Sequence, residues 1–286
     1  MTQVEKSLIS PAVLAARYSA RKTFLPGTIA IDNCPICGSR EREEDTLGGD
    51  TGWAMCQKCF SAYKMSWPEQ SAIEEFYEEE YRVLSEDTFG EYPSKANKGT
   101  DIVRVGRQFE IIYKPLKQAK RFLDYGCSSG WSVHCGQYLG VESYGVELNK
   151  RDQEHAKRVW DITLYPRLED LPVRDFDVIL MSHVIEHFID PIGEMRKLCS
   201  DYMADKAYIL FEVPSIKAAS AWAAYHAVLF SPHGLAYAIE QAGMKVVFLN
   251  APQPPLKDSR YPPTLMWAVG YKGDPDDNPL VGGFAS

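Results

Sequence analysis

The sequence predicts an α/β fold: a doubly wound, mostly parallel sheet whose last strand runs antiparallel, preceded by a small four-cysteine module. Three observations predict it. Strand-like and helix-like stretches alternate from residue 120 to 250. A glycine-bracketed turn, Gly126-Cys127-Ser128-Ser129-Gly130, stands between the first of those strands and the first of those helices. Two Cys-x-x-Cys pairs, Cys34/Cys37 and Cys56/Cys59, lie ahead of them with eighteen residues between.

Composition narrows the classes. At 286 residues with 45% hydrophobic content, the chain can bury one α/β domain and a smaller one. No stretch approaches about 18 uninterrupted apolar residues, so no membrane span is expected. Residues 1–22 lack the layout of a signal peptide. A formal charge of −8 gives no electrostatic footprint for long nucleic acids. Seven cysteines, an odd number, fit a reduced cytoplasm better than a disulfide framework.

In order, residues 1–30 read as an N-terminal tail with a helical stretch around Pro11 to Tyr18. Residues 31–66 carry the two cysteine pairs at zinc-ribbon spacing, so Cys34, Cys37, Cys56 and Cys59 are expected to close a tetrahedral four-thiolate site, with iron as the alternative metal. Four protein ligands leave no open position, which makes such a zinc structural. Residues 67–118 form a connector. Between Glu69 and Glu91 it holds nine acids against one base, Arg82, interleaved with Phe76, Tyr77, Tyr81 and Phe89. Packing of an aromatic stripe explains most of these residues; closure of Tyr77 or Tyr81 over a bound cation explains the stripe as a lid. A helix over 101–117 leads into the first strand.

Residues 119–272 form the main domain. Phe122 and Leu123 lead into Asp124 and the glycine turn, and Trp131 to Leu139 reads as a helix that Gly140 ends. Such a turn aims backbone N–H groups at a ligand from the positive end of a helix. The second strand, Ser143 to Leu148, places Glu147 about 20 residues after the turn, where a carboxylate can accept from both hydroxyls of a ribose. Asn149 caps a helix to Trp160; Ile162 to Tyr165 is a third strand; Leu168 and Glu169 lie in the loop beyond it. Asp175 to Met181 is a fourth strand, Asp190-Pro191 opens a helix to about Ala204, and Ala207 to Val213 is a fifth strand. Ser231-Pro232 caps a helix ending at Gly243, with strands following at 244–249 and 265–271. Residues 251–263 read as a loop able to cover the site, and 273–286 as a flexible tail.

The turn and the acid resemble the first two motifs of class I S-adenosylmethionine-dependent methyltransferases. Asp124, Gly126 and Gly130 match Asp-x-Gly-x-Gly-x-Gly, with Ser128 in the place of the middle glycine. The resemblance implies a Rossmann-like methyltransferase domain that binds S-adenosyl-L-methionine through Asp124, Gly126, Cys127, Gly130, Glu147, Leu148, Leu168, Glu169 and His183. His183-Val-Ile-Glu-His187 also spells the inverted zinc-peptidase motif. It falls directly after a buried strand, however, at the sheet edge where a cofactor pocket is expected, and the peptidase reading accounts for neither the glycine turn nor Glu147. Phe211-Glu-Val-Pro214 and His226-Ala-Val-Leu-Phe-Ser-Pro232 are similar to segments of sugar C-methyltransferases that carry an N-terminal four-cysteine zinc ribbon.

That similarity implies a small-molecule acceptor, such as a nucleotide-linked sugar. It implies His226 as general base, His187 as its partner or alternative, and Tyr77 on the substrate side. A histidine titrates near neutrality, which suits a base for a hydroxyl or a carbon acid. Two other readings are carried: an RNA acceptor, and a binding or assembly protein whose cofactor fold has lost turnover. Neither the acceptor nor the oligomeric state is written in the sequence.

Overall fold

A computed structural model describes residues 27–44, 52–80, 95–223, 225–250, 265–274 and 276. The Pro11–Tyr18 helix, Tyr81, the loop 251–263 and most of both tails lie outside the described residues.

Five short strands come first: β1 (Ile29–Ala30), β2 (Arg42–Glu44), β3 (Trp53–Cys56), β4 (Ala62–Lys64) and β5 (Ser66–Trp67). The connector follows as α1 (Gln70–Glu75) with a π-helical turn (Phe76–Glu80), then α2 (Lys95–Ile111) and α3 (Tyr113–Gln118). The helix expected over 101–117 thus begins earlier and breaks at Ile112. The main domain runs β6 (Arg121–Tyr125), α4 (Trp131–Tyr138), β7 (Glu142–Val146), α5 (Lys150–Trp160) and β8 (Phe176–Ser182). After α6 (Pro191–Lys197) come β9 (Met203–Pro214), β10 (Val228–Leu229), α7 (Pro232–Gln241), β11 (Lys245–Asn250) and β12 (Leu265–Tyr271).

The large sheet has six strands in the order β11-β12-β9-β8-β6-β7. β6 pairs parallel with both β7 and β8, placing Asp124 opposite Gly145 on one side and Leu180 on the other. The central strand β8 reads as a nearly continuous apolar run and is buried at every position except Asp177 and its final residue, Ser182, as expected of a strand covered on both faces. The last strand is antiparallel. Lys272 N donates to Ala207 O at 2.9 Å and Trp267 Nε1 donates to Glu212 Oε2 at 2.8 Å, so five steps along β9 are five steps back along the partner.

The strand expected at Ile162–Tyr165 is reduced to one parallel bridge, Val146 to Tyr165. Ile162 and Leu164 do alternate inward as a strand should, into a cluster with Cys127, Val133 and Ala156. Tyr165 exchanges both of its ladder bonds with β7, donating to Gly145 O and accepting from Glu147 N, and the next carbonyl of that edge, Glu147 O, is taken by Gln153 Nε2 at 2.6 Å. The helix opened by Asp190, whose side chain accepts from Gly193 N at 2.9 Å, also ends sooner than expected. It passes through a π turn at Leu198–Tyr202 directly into β9.

The described residues gather into two compact units. One comprises Met1–Glu69, His183–Cys199 and Phe211–Gly270; the other comprises Gln70–Ser182, Ser200–Leu210 and Tyr271–Ser286. Within the first, the cysteine module is a four-stranded antiparallel sheet, β10-β4-β3-β2, so its outer strand comes from far along the chain. Val228 faces Tyr63 and Leu229 faces Ala62. Trp222 packs edge-on against Trp53, 5.3 Å between ring centres, inside a buried cluster with Ala62, Ala218, Ala221 and Leu229. Within the second unit, α2, α4 and α5 pack around β6, β7 and β8, with Phe109 edge-on to Phe122 at 5.7 Å.

Candidate functional site

The glycine turn lies in the second unit. Gly126, Ser128 and Gly130 all adopt left-handed backbone, with φ of 79°, 50° and 76°. This alternation explains why glycine suits each position, and it makes Ser128 a strained residue. The turn closes on itself and on β7: Gly130 N donates to Cys127 O at 3.0 Å, and Gly126 N and Cys127 N both donate to Val146 O. Gly130 then starts α4, whose first turn presents its N–H groups toward the turn.

Glu147 braces this structure from the end of β7. One of its carboxylate oxygens accepts from Ser128 N and the other from Asn149 N, each at 2.9 Å. A carboxylate has about four lone-pair positions, so hydroxyl donors can still be accepted. Asn149 caps α5 by accepting from Arg151 N and Asp152 N. Its amide also donates to Tyr77 O at 2.9 Å, which fixes the connector's π turn beside the strand end that carries Glu147. An ion pair from Arg167 to Glu74 at 3.0 Å holds α1 in the same region.

A cleft in this unit is lined by Asp124, Gly126, Cys127, Ser128, Ser129, Trp131, Ser132 and Leu180, with Arg104, Val105, Gln108 and Ser182. Three of the expected cofactor residues, Asp124, Gly126 and Cys127, therefore share one cleft. Asp124 is buried and accepts from Ser132 Oγ. Cys127 is a buried thiol, pushed well above its ordinary pKa by burial and then by Asp124, so it stays neutral. Leu148 is half-buried beside Glu147, while Leu168 is buried and Glu169 exposed on a 3-10 turn at Leu168–Asp170. Sequence reasoning missed Arg104, Gln108, Ser132 and Ser182. Gln108, 1% exposed and donating to Ser182 Oγ at 3.0 Å, was detectable as a polar residue on the apolar face of its helix.

The three candidate histidines, His183, His187 and His226, belong to the first unit. His183, bonded to Ser182, has left-handed backbone at φ 55° and donates its N–H to Glu212 O at 2.8 Å. Its ring lies between two buried carboxylates, Nδ1 3.3 Å from Glu186 and Nε2 3.4 Å from Glu212. Burial pulls its pKa down, but the two carboxylates more than reverse this and hold it at about 9, although a third of the side chain (34%) meets solvent. Burial pushes the Glu186 carboxyl up, and the His183 imidazole beside it prevails, holding it at about 2. Glu212 was also missed; it accepts from Trp267 Nε1 as well, and a buried acid within Phe211-Glu-Val-Pro214 was its only signal.

His187 and His226 meet edge to face, 4.9 Å between ring centres. His187 Nδ1 contacts Tyr225 O at 2.8 Å and its Nε2 lies 3.1 Å from His183 O. His226 Nδ1 contacts Ala221 O at 2.6 Å. Burial lowers the pKa of both, and that of His226 falls to about 3 with His187 adding to the effect. Both rings are therefore neutral near pH 7. The His-x-x-Glu-His segment forms a single 3-10 turn at Ile185–His187, so its histidines do not share the α-helical face that a zinc peptidase requires. Ligand atoms of Glu186, His187 and His226 lie within 4.8 Å of one another.

The four cysteines also converge, with ligand atoms within 4.8 Å of one another. Cys34 Sγ lies 3.6 Å from Cys59 Sγ, and Cys37 Sγ 3.4 Å from Cys56 Sγ. A tetrahedron with Zn–S bonds of about 2.3 Å has edges of about 3.8 Å, so the set fits such a cation. The Cys34 contact drives the Cys59 thiol down to about 5 and its own partner up, as expected of thiols crowded at one point.

Residues 102–249 match a protein family described as a methyltransferase domain. Magnesium protoporphyrin IX methyltransferase from Synechocystis superimposes in two ligand states. With bound S-adenosylhomocysteine the identity is 10%, the coverage 71% of this chain and 100% of that one, and the TM-score 0.51; with S-adenosylmethionine the values are 11%, 72%, 98% and 0.50. A SAM-dependent methyltransferase from Archaeoglobus fulgidus is 20% identical over 68% of this chain and 100% of its own, with a TM-score of 0.49. No curated protein matches. Among the described residues, no helix is long and apolar enough to cross a membrane. With the family match spanning half of the chain, the chain belongs to the S-adenosylmethionine-dependent methyltransferases.

Proposed function

We propose that the chain transfers the methyl group of S-adenosylmethionine to a small-molecule acceptor, with a nucleotide-linked sugar as the first class to test. The observation that carries this reading is the polar cluster of Glu186, His187 and His226, with ligand atoms within 4.8 Å of one another, Glu186 and His226 buried and His187 half-buried. A reacting group that meets such enclosed side chains suits a small acceptor better than a polymer backbone, and the acidic chain offers RNA little electrostatic attraction.

In this reading Asp124, Gly126, Cys127 and Gly130 form the cofactor turn. Glu147 accepts from the ribose hydroxyls, and Leu148, Leu168, Glu169 and His183 line its edges. Tyr77, fixed through Asn149, offers its aromatic face to the sulfonium or the acceptor. His226, neutral and with Nδ1 committed to Ala221 O, takes the acceptor's proton at Nε2. The nearby Glu186 carboxylate stabilises the imidazolium that forms, and His187 is the partner ring. Cys34, Cys37, Cys56 and Cys59 hold a structural zinc.

The test is calorimetric titration of S-adenosylhomocysteine, followed by turnover with a panel of nucleotide sugars. Glu147→Ala removes the charge-assisted acceptor; about 2 kcal/mol of binding, or about 30-fold in Kd, is expected to be lost. An unchanged Kd would remove Glu147 from the cofactor site. Full turnover by His226→Ala would remove the base.

A further inference from the structure

We propose that Glu186, His187 and His226 form a second metal site, which takes one first-row divalent transition cation beside the acceptor position. The inference deepens the proposed function and rests on its placement of the acceptor at this cluster.

The first observation is convergence. One ligand atom from each residue lies within 4.8 Å of the other two, a set that modest side-chain shifts can close around one ion. The second is the state of Glu186. It is 0% exposed, and neither carboxylate oxygen makes a hydrogen bond, although His183 Nδ1 stands 3.3 Å from one of them. The His183 imidazolium balances part of this buried charge from 3.3 Å away, yet it leaves both carboxylate oxygens without a hydrogen bond and so open to a further cation.

The third observation concerns the two imidazoles. His226 Nδ1 lies 2.6 Å from Ala221 O and His187 Nδ1 2.8 Å from Tyr225 O. A backbone carbonyl accepts only from a protonated nitrogen, so His226 is set as the tautomer with a bare Nε2, while His187 meets a carbonyl at each ring nitrogen and can carry its proton on either. A carbonyl bond of this kind is how protein frameworks orient metal-binding histidines.

The framework is also rigid where the ligands arise. Ala227 N donates to Glu186 O at 2.8 Å, and Lys64 N donates to Ala227 O at 2.9 Å, so the segments that carry Glu186 and His226 are pinned together and to β4. Two imidazoles and one carboxylate select Zn2+, Mn2+, Fe2+ or Ni2+ over the oxygen-seeking Ca2+ and Mg2+. Three protein ligands leave positions open, the mark of a site that also binds a substrate oxygen. An acceptor hydroxyl bound there loses its proton to water. Its oxygen then forms the bond to the methyl carbon as the carbon–sulfur bond breaks, leaving neutral S-adenosylhomocysteine. In the loaded form His226 is a ligand, and the cation replaces it in activating the acceptor.

The full-length protein, with zinc in place at its four cysteines, is titrated with Mn2+, a hard ion that thiolates bind poorly, and free Mn2+ is followed by electron paramagnetic resonance. Elemental analysis after Zn2+ loading supplies an independent count. The expected result is one Mn2+ per chain, and one zinc beyond that of the cysteines. Glu186→Gln and His226→Gln are each expected to weaken Mn2+ at least about tenfold while keeping one zinc per chain and wild-type affinity for S-adenosylhomocysteine. A protein that keeps both of those properties but takes up no second cation would overturn the proposal, as would a Glu186→Gln variant that binds Mn2+ like the wild type. If only one variant fails to fold, the other decides. Loss of cofactor binding by the wild type would instead overturn the methyltransferase reading, whatever the metal count.

Discussion

Gly145→Ala should damage both stability and cofactor binding, for a reason confined to one point of contact. Gly145 lies in β7, and a Cβ there would stand 2.5 Å from Cys127 Sγ, 2.7 Å from Leu164 Cδ2 and 2.8 Å from Val133 Cγ2. All three neighbours are buried in one cluster. The strand cannot retreat: Gly145 faces Asp124 in the β6 ladder, and its carbonyl accepts from Tyr165 N at 2.9 Å on the other edge. Val133 is β-branched and stiff, so little of the overlap can be absorbed by rotation. Overpacking of this kind costs about 1–3 kcal/mol, and with three simultaneous contacts against a pinned backbone we expect about 3 kcal/mol. Because Cys127 belongs to the glycine turn, its displacement should also weaken S-adenosylhomocysteine at least about tenfold. Urea unfolding measures the first effect and calorimetric titration the second. Cys127→Ala removes the nearest contact, so the double variant should be more stable than the sum of the single effects by about 1 kcal/mol. Additive effects, or a Gly145→Ala variant within about 0.5 kcal/mol of wild type, would refute the argument.

Ser128→Gly should stabilise the chain by up to about 1 kcal/mol, read as a rise of about 2–4 °C in Tm, because Ser128 holds left-handed backbone at φ 50° between two glycines that do the same. An unchanged or lower Tm would mean that the serine side chain makes good its own strain. Ser231→Ala should cost about 1–2 kcal/mol, since Ser231 Oγ caps α7 at Gly234 N, 2.8 Å away, and donates to Cys59 O at 2.5 Å. The same variant should release zinc to a chelator faster than the wild type, and an equal rate would uncouple the cap from the cysteine module.

The parts of the site that the sequence disclosed were those written in local spacing. The glycine turn, the acid at the end of the next strand and the paired cysteines each need only neighbours along the chain, so motif distance sufficed. What stayed hidden was set by distant pairing. Tyr63 faces Val228, which nothing in either stretch announces. The strand expected over 162–165 falls short for a different reason: its alternating burial is real, but the β7 edge offers it a single bridge, and Gln153 takes the Glu147 carbonyl that the next ladder bond would need. Gln108 and Glu212 were legible only as polar residues in apolar surroundings, a signal that gains meaning once Ser182, His183 and Trp267 are placed beside them.

The cysteine module and the segment after β9 are best understood as one structure. Taken alone, residues 31–66 are too few to bury a core, which is why a metal was expected to hold them. The structure supplies a second answer. β10 completes the module's sheet, Trp222 fills the core under Trp53, and Ser61 and Ser231 exchange hydrogen bonds, with Ser231 N donating to Ser61 Oγ at 3.0 Å. The stretch so captured, Ala218 to Ser231, also contains His226. Between Trp222 and β10 this residue has little freedom, because Ala221 O holds its ring and Ala227 is bonded into both β4 and the turn at Glu186. In the proposed reading, a metal held by the four cysteines would stiffen β3 and β4 and so also set where His226 stands. The effect of that metal on the proposed chemistry would be positional, carried by backbone hydrogen bonds, with no cysteine required to approach the acceptor.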